Sequence, residues 1–256
     1  MEIRFLGVHN LESADTKLMS LLIDSMLALD AGSITSTLSF EEQQRIKSIL
    51  ISHHHFDHVR DLATLGLANL DWGTKKLYSM QEVLDVISGN LLNGVHYPEM
   101  TQIPTPENPS LLPCVINVGE PMNIDGYSVL ALPMVHGIPT VGYEVTDGEG
   151  KSIFYTSDTT QGIDDCWQHV SPDLLVIETT LSDSMRDSAI KSKHMCPSLL
   201  AETLLGFKKA KGHIPPTVVV HMNPAYEEQI GKEIAMASKE IDADILLGYE
   251  GMSIVI

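Results

Sequence analysis

Four side chains with metal-binding chemistry, His53, His55, Asp57 and His58, fall within six residues directly behind the apolar run Ile49-Leu50-Ile51. No other feature of the chain restricts its fold as much. Alternate residues of an extended chain point the same way, so His53, His55 and Asp57 converge while His54 and Phe56 point elsewhere. His58 follows at the start of a helix. Imidazole and carboxylate donors suit zinc first, with manganese and iron also compatible. Six residues cannot wrap one ion with four well-placed ligands, so the pattern implies two neighbouring divalent ions. The competing explanation is a histidine-rich surface loop; the strand, the spacing and the residue types together argue against it.

Two ions need further ligands, and rigid strand ends are where ligands are held well. His136 follows the apolar run 127–135, Asp158 follows 153–157, and His221 follows Val218-Val219-Val220. A carboxylate at Asp158 is suited to bridging ions about 3.5–4 Å apart. His9, His96, His169 and His213 read as surface or loop residues, with substrate contact the competing role for His96. Glu178, behind the run Leu174-Leu175-Val176-Ile177, reads either as an orienting group for a histidine or as a structural carboxylate.

Short apolar stretches mark strands at Ile3–Gly7, Leu21–Asp24, Met26–Asp30, Ser48–Ile51, Lys76–Tyr78, Tyr127–Met134, Thr140–Val145, Ser152–Thr156, Leu174–Ile177, Thr217–His221 and Asp244–Leu247. Helices are expected at Phe40–Arg45, Gln81–Leu92, Pro197–Lys209 and Tyr226–Lys239. With the motif, this order implies an α/β chain of two sheets with helices outside, a four-layer αββα sandwich in one domain over residues 1–256. Residues 89–113 carry Pro98, Pro104, Pro106, Pro109 and Pro113, a density that prevents a regular helix or central strand. They read either as a loop covering the site or as a surface excursion.

The formal net charge is −18, and no basic stripe answers it. Long nucleic acids are met by such stripes, so a long polyanion is disfavoured as a partner while a small phosphorylated ligand is not. Lys208, Lys209 and Lys211 read as the exposed end of a helix. Cys114, Cys166 and Cys196 are scattered, as for reduced thiols. No signal-peptide layout opens the chain, and no apolar run approaches the roughly 20 residues that cross a bilayer. The expectation is a cytoplasmic protein without membrane contact.

The set His53-x-His55-x-Asp57-His58, His136, Asp158 and His221, with the turn Leu29-Asp30-Ala31-Gly32, resembles the metallo-β-lactamase superfamily over nearly the whole chain. The resemblance implies the αββα metallo-β-lactamase sandwich. It implies that His53, His55 and His136 hold one metal, that Asp57, His58 and His221 hold the other, that Asp158 bridges them, and that Asp30 orients a ligand. A narrower set is similar to class II cyclic-nucleotide phosphodiesterases and their ribonuclease Z relatives. It comprises Leu91-Leu92-Asn93 with His96-Tyr97-Pro98, Tyr155-Thr156-Ser157-Asp158-Thr159, Ile177-Glu178-Thr179, Ser192-Lys193-His194, His221-Met222-Asn223-Pro224 and Gly248-Tyr249-Glu250-Gly251. In those families the residue matching His194 sits beside the metals and contacts the scissile phosphate. Lys193 stands where they usually carry glycine, and Cys196 where threonine usually precedes the helix, which loses an N-cap.

The resemblance implies a hydrolase that attacks a small phosphodiester, such as a 3′,5′-cyclic nucleotide, with a metal-bound hydroxide. Asp57, His194 and Glu178 are its candidate catalytic groups, His194 as a donor to the phosphoryl or leaving oxygen. A homodimer follows by analogy alone. Other readings stay open: a lactamase, thioesterase, lactonase or ribonuclease of the same fold, a diiron redox or sensor protein, and a non-catalytic nucleotide-binding module. Cysteine would usually replace Asp158 in a lactamase, and glutamate His55 in a diiron protein.

Overall fold

The computed structural model describes residues 1–256. Its first eight strands are β1 (Glu2–Gly7), β2 (Ser20–Ile23), β3 (Leu27–Leu29), β4 (Ser48–Leu50), β5 (Lys75–Ser79), β6 (Pro104–Thr105), β7 (Asn108–Pro109) and β8 (Leu111–Val115). The remainder are β9 (Pro121–Ile124), β10 (Tyr127–Pro133), β11 (Val141–Thr146), β12 (Ser152–Tyr155), β13 (Leu174–Glu178), β14 (Thr217–Val220), β15 (Ile245–Leu247) and β16 (Ser253–Val255). One seven-stranded sheet runs β16-β1-β2-β3-β4-β5-β8, and a second runs β15-β14-β13-β12-β11-β10-β9. In each sheet a run of antiparallel strands continues into parallel ones: β3-β4-β5-β8 in the first, β12-β13-β14-β15 in the second.

The strands alternate their faces as their sequences require. In the first sheet Leu21, Ile23, Leu29 and Leu50 pack into the core shared with the second sheet, while Leu22, Ala28, Ile49 and Ile51 face away. That outer face is covered by helices α1 (Ile34–Thr37), α2 (Phe40–Arg45), α3 (Phe56–Val59), α4 (Leu62–Ala68) and α5 (Gln81–Asn90), through Ile34, Val59, Leu62, Leu65, Val83 and Ile87. After α6 (Arg186–Ser192), helices α7 (Pro197–Lys211) and α8 (Glu227–Ile241) cover the second sheet through Leu199, Leu204, Ile230 and Ile234. The result is the four-layer αββα order.

Strand and helix ends differ from the expected ones by a residue or two. The helix expected to start at His58 is α3, and elements absent from the sequence reading are short or at an edge: α1, α4, α6, β6, β7, β8, β9 and β16. Residues 89–113 contain more order than their prolines predict. Gly89 and Asn90 close α5, β6 and β7 form a small hairpin, and Leu111-Leu112-Pro113 open β8. Pro113 is tolerated because β8 is the last strand of its sheet, where one side of the backbone needs no partner. Helix α7 ends on Lys208, Lys209 and Lys211, cations at the negative pole of the helix dipole. No helix is long and apolar enough to cross a membrane.

Candidate active site

The C-terminal ends of β3, β4, β12, β13 and β14 meet at one edge of the sandwich, carrying Asp30, His53, Asp158, Glu178 and His221. Asp30, Ser157 and His221 each adopt a left-handed backbone, with φ of 57°, 57° and 61°. This conformation stops the strands and turns the next side chains into the gap between the sheets. It costs each of these residues roughly 1 kcal/mol. After β4 the chain stays extended through His55 (φ −62°, ψ 146°), which caps α3. His53 and His55 therefore point inward together, and Asp57 and His58 follow from the first turn of α3.

Asp30 is fully buried and saturated. It accepts hydrogen bonds from the Ser52 backbone N–H (2.8 Å), the Ser52 hydroxyl (2.8 Å), the Tyr155 phenol (2.8 Å) and His58 Nδ1 (2.8 Å). The last bond fixes the His58 tautomer and leaves Nε2 facing inward. His136 is fixed in the same sense, Nδ1 donating to the Lys193 carbonyl at 3.2 Å. His221 Nδ1 lies 2.8 Å from the Thr180 hydroxyl, and His53 Nδ1 lies 3.0 Å from that of Ser52.

Asp158, 1% exposed, stands between these rings. Its Oδ2 is 3.5 Å from His53 Nε2 and 3.7 Å from His136 Nε2; its Oδ1 is 3.3 Å from both His58 Nε2 and His221 Nε2. His55 Nδ1 and His136 Nε2 are 3.2 Å apart, and Asp57 Oδ2 is 3.1 Å from His221 Nε2. Two compact donor groups result, His53-His55-His136-Asp158 and Asp57-His58-His221, with Asp158 beside both.

Divalent cations fit this arrangement. His53 Nε2, His58 Nε2 and Asp158 Oδ1 are buried without a hydrogen-bond partner. Orphaned polar atoms cost about 1–3 kcal/mol each unless something satisfies them. The donors are nitrogen and oxygen only, as zinc, manganese or iron accept. Burial, with the neighbouring histidines, holds His53, His55 and His136 below the usual imidazole range, leaving the lone pairs that ligation requires. Burial opposes charge on Asp57, yet His58 and His221 hold it at about 2. Burial likewise opposes the charge on Asp158, which the surrounding histidines push well below the carboxylate range. His58 is raised well above its ordinary value, its burial outweighed by Asp158, Asp30 and Asp57. The cluster demands positive charge at its centre, and cations supply it without a proton.

Glu178, fully buried, ties a third group to this centre. Its Oε1 accepts from the Thr159 N–H (3.0 Å) and from His194 Nδ1 (2.7 Å). Its Oε2 accepts from the Thr180 hydroxyl (2.7 Å) and the Met195 N–H (3.1 Å). His194 stacks on His221, ring centroids 5.3 Å apart, with its Nε2 left free of the Glu178 bond. Burial lowers the pKa of His194, but the Glu178 carboxylate outweighs it and raises the ring to about 9.

Every candidate ligand and candidate catalytic residue named from the sequence thus lies in one cluster. Ser52, Ser157 and Thr180 touch the histidines and Tyr155 holds Asp30, and nothing in the sequence marks these four hydroxyl residues as functional. A cavity of about 510 Å³ opens onto the cluster, walled by Asn10, Leu11 and Glu12 on one side and by Phe56 and Arg60 on another. Arg60 is paired with Glu12 and with Asp61. No residue of 89–113 lines this cavity; Asn90, Leu91 and His96 line an adjoining one.

One expectation needs correction. His9 is 2% exposed, not a surface residue, and sits between Glu250 (2.6 Å) and Glu227 (3.2 Å). The N-cap that Cys196 fails to provide is replaced from a distance: Asp183 accepts from the Ser198 N–H at 2.8 Å, in the first turn of α7.

Residues 20–222 match the family described as the Beta-lactamase superfamily domain. The chain belongs to the beta-lactamase superfamily. Among solved structures it is similar over 100% of its length to unliganded yeast PDE1 (TM-score 0.85, 15% identity, 99% of that chain). It is similar over 99% of its length to the metallo-β-lactamase-fold protein YhfI of Bacillus subtilis (TM-score 0.78, 16% identity, 99% of that chain). The short form of human tRNase Z gives a TM-score of 0.71 at 20% identity, covering 100% of this chain and 99% of that one. These likenesses carry the metallo-β-lactamase fold.

Two curated relatives match parts of the chain. Ribonuclease Z 1 of Schizosaccharomyces pombe is 30% identical over 134 residues, 52% of this chain and 15% of that protein. An octanoyltransferase of Porphyromonas gingivalis is 31% identical over 113 residues, 43% of this chain and 21% of that protein. The matched stretches span about a fifth or less of these relatives' own lengths.

Proposed function

We propose that this chain is a dinuclear metal-dependent phosphodiesterase acting on a small phosphodiester, of which a 3′,5′-cyclic nucleotide is the type. The observation that carries the reading is the placement of His194. Its ring leans on His221 and lies 5.0 Å from that of His136, so it borders both donor groups. Glu178 keeps it protonated at neutral pH. A phosphodiester is an anion whose leaving alkoxide needs a proton, and an imidazolium beside the reacting phosphorus supplies one.

His53, His55 and His136 would hold one metal and Asp57, His58 and His221 the other, with Asp158 shared between them. Zinc is the first candidate, and manganese and iron are compatible. When bound, the two ions supply charge neutralisation for the phosphate and a water acidic enough to attack at neutral pH. Asp57, ionised throughout the physiological range, completes its donor set and accepts from an attacking water. Asp30, Ser52 and Thr180 hold the imidazole tautomers. Glu178 orients His194 and, through the Thr159 N–H, the loop that carries Asp158.

Yeast PDE1, similar over the whole chain, supports this reading. The partial match to ribonuclease Z supports the phosphodiester class as well, and favours RNA as a second substrate reading. A net charge of −18 favours the small substrate, because a long RNA meets repulsion away from the metals. The test is a panel of cyclic AMP, cyclic GMP, cyclic dinucleotides, a tRNA precursor, a bis-aryl phosphate, a β-lactam and a glutathione thioester. The expected result is cleavage of a small phosphodiester by the metal-replete protein and none by Asp158→Ala. Turnover of the β-lactam or thioester alone, or of nothing, would contradict the proposal.

A further inference from the structure

The cavity next to the metal cluster has a different character from the cavity above it. It is about 290 Å³ and lies on the far side of Phe56, whose ring borders both. Its walls come from the alternate residues of the metal motif, His54 and Phe56, from Val86, Ile87 and Asn90 on α5, and from the segment behind α5 that ends at His96. Because His54 and Phe56 interleave with His53, His55 and Asp57, any backbone that places the ligands also places this wall. The two chambers are therefore fixed relative to each other.

The lining contains no Asp, Glu, Lys or Arg, in a chain of net charge −18. Five apolar side chains form most of it, and the polar groups are two imidazoles and one amide. His54 Nδ1 is buried without a partner. Asn90 Nδ2 donates to the Val86 carbonyl at 2.9 Å, leaving the amide oxygen and one N–H uncommitted. Phe56 is 63% exposed, an uncommon state for a large aromatic side chain in the middle of a metal motif. An apolar slot of this kind, with a few edge-on donors and acceptors and no fixed charge, suits a flat neutral heteroaromatic ring. A phosphate or a sugar would find too few polar partners there.

We infer that this chamber is the subsite for the nucleobase attached to the scissile phosphate. Resting on the phosphodiesterase reading, the assignment places the phosphate on the metal cluster and the base across Phe56. Asn90, His54 and His96 then read the edge of the base. It also gives the opening of the proline-rich segment a task, as one wall of the base subsite.

Adenosine, a nucleobase and sugar without phosphate, is the probe. It is titrated into zinc-loaded protein while the imidazole NMR signals of His54 and His96 are followed. A saturable shift of both is expected. Val86→Trp, which fills the chamber, should abolish it; Asn90→Ala, at the exposed end of α5, should weaken it severalfold and decides the matter if the tryptophan variant does not fold. No shift in the wild type, or equal affinity in wild type and both variants, overturns the assignment.

A kinetic arm separates this inference from the reading beneath it. Val86→Trp should raise KM for cyclic AMP by about ten-fold with kcat within about two-fold, and leave a base-free ribose cyclic phosphate unaffected. Equal effects on both esters overturn the subsite. If neither ester is cleaved but adenosine binds and Val86→Trp abolishes binding, the phosphodiesterase reading fails and the chamber stands as a nucleobase-binding site alone.

Discussion

At the scale of single residues, a small number of buried polar groups set the chemistry. Glu178 is the most consequential of them, because one carboxylate holds His194, Thr180 and the Thr159 backbone. If His194 acts as a proton donor, activity must fall as pH rises through its pKa of about 9. Glu178→Gln removes the charge that keeps the ring protonated. The alkaline limb of the kcat profile should then move down toward the ordinary imidazole value of about 6.5, with a lower plateau. An unmoved limb would mean that another group sets it. Lys193 offers a separate test. It closes α6 with a φ of 62° while its carbonyl fixes His136. Glycine adopts this conformation without a Cβ penalty, so Lys193→Gly should raise unfolding free energy by about 0.5–1 kcal/mol in denaturant titration.

Residue by residue, the ligands were legible because each follows an apolar strand and because an extended chain alternates its faces. Their supports were not. Ser52, Ser157, Tyr155 and Thr180 are ordinary hydroxyl residues whose partners lie up to 125 positions away, as Tyr155 and Asp30 do. Only the folded chain brings them together. The left-handed backbones of Asp30, Ser157 and His221 were equally hidden, since no glycine marks them.

At the scale of elements, the turn behind β3 matters as much as the metal motif it supports. The Ala31 N–H donates to the His58 carbonyl at 2.7 Å, and the Asp61 N–H donates to the Ala31 carbonyl at 2.9 Å. Gly32 lies against the Asp57 carbonyl, where a Cβ would collide. Gly32→Ala should therefore push α3 outward, cost about 1–3 kcal/mol of stability and weaken metal retention. Unchanged metal content and unfolding midpoint would show that the turn yields freely. The periodic strands of both sheet interiors were legible from sequence. Helix α4 and edge strands β9 and β16 were not, because each is short and half its pattern faces solvent or a neighbour rather than the main core. The segment 89–113 was misjudged where its last residues enter β8, since a proline permitted at a sheet edge reads in sequence like a break.

For the whole molecule, the parallel halves of the two sheets end at one edge, and the site exists only because both do. The first sheet supplies Asp30, His53 and the motif behind it; the second supplies His136, Asp158, Glu178 and His221. Two phenols bind the halves at this edge, Tyr155 to Asp30 at 2.8 Å and Tyr143 to the Ile51 carbonyl at 2.7 Å. On the proposed function, the net charge of −18 around a cation-demanding centre repels a long polyanion more than a small anion.

The proposed function rests on a two-metal centre, shared through Asp158, that cleaves phosphodiesters. Its most direct test is to strip the protein of metal and titrate zinc or manganese back while following hydrolysis of a chromogenic bis-aryl phosphate. Activity that rises to a plateau at about two equivalents per chain, and is absent from Asp158→Ala at any metal level, is the predicted result. A plateau at one equivalent, or a metal-loaded protein that leaves the phosphodiester intact, would contradict it.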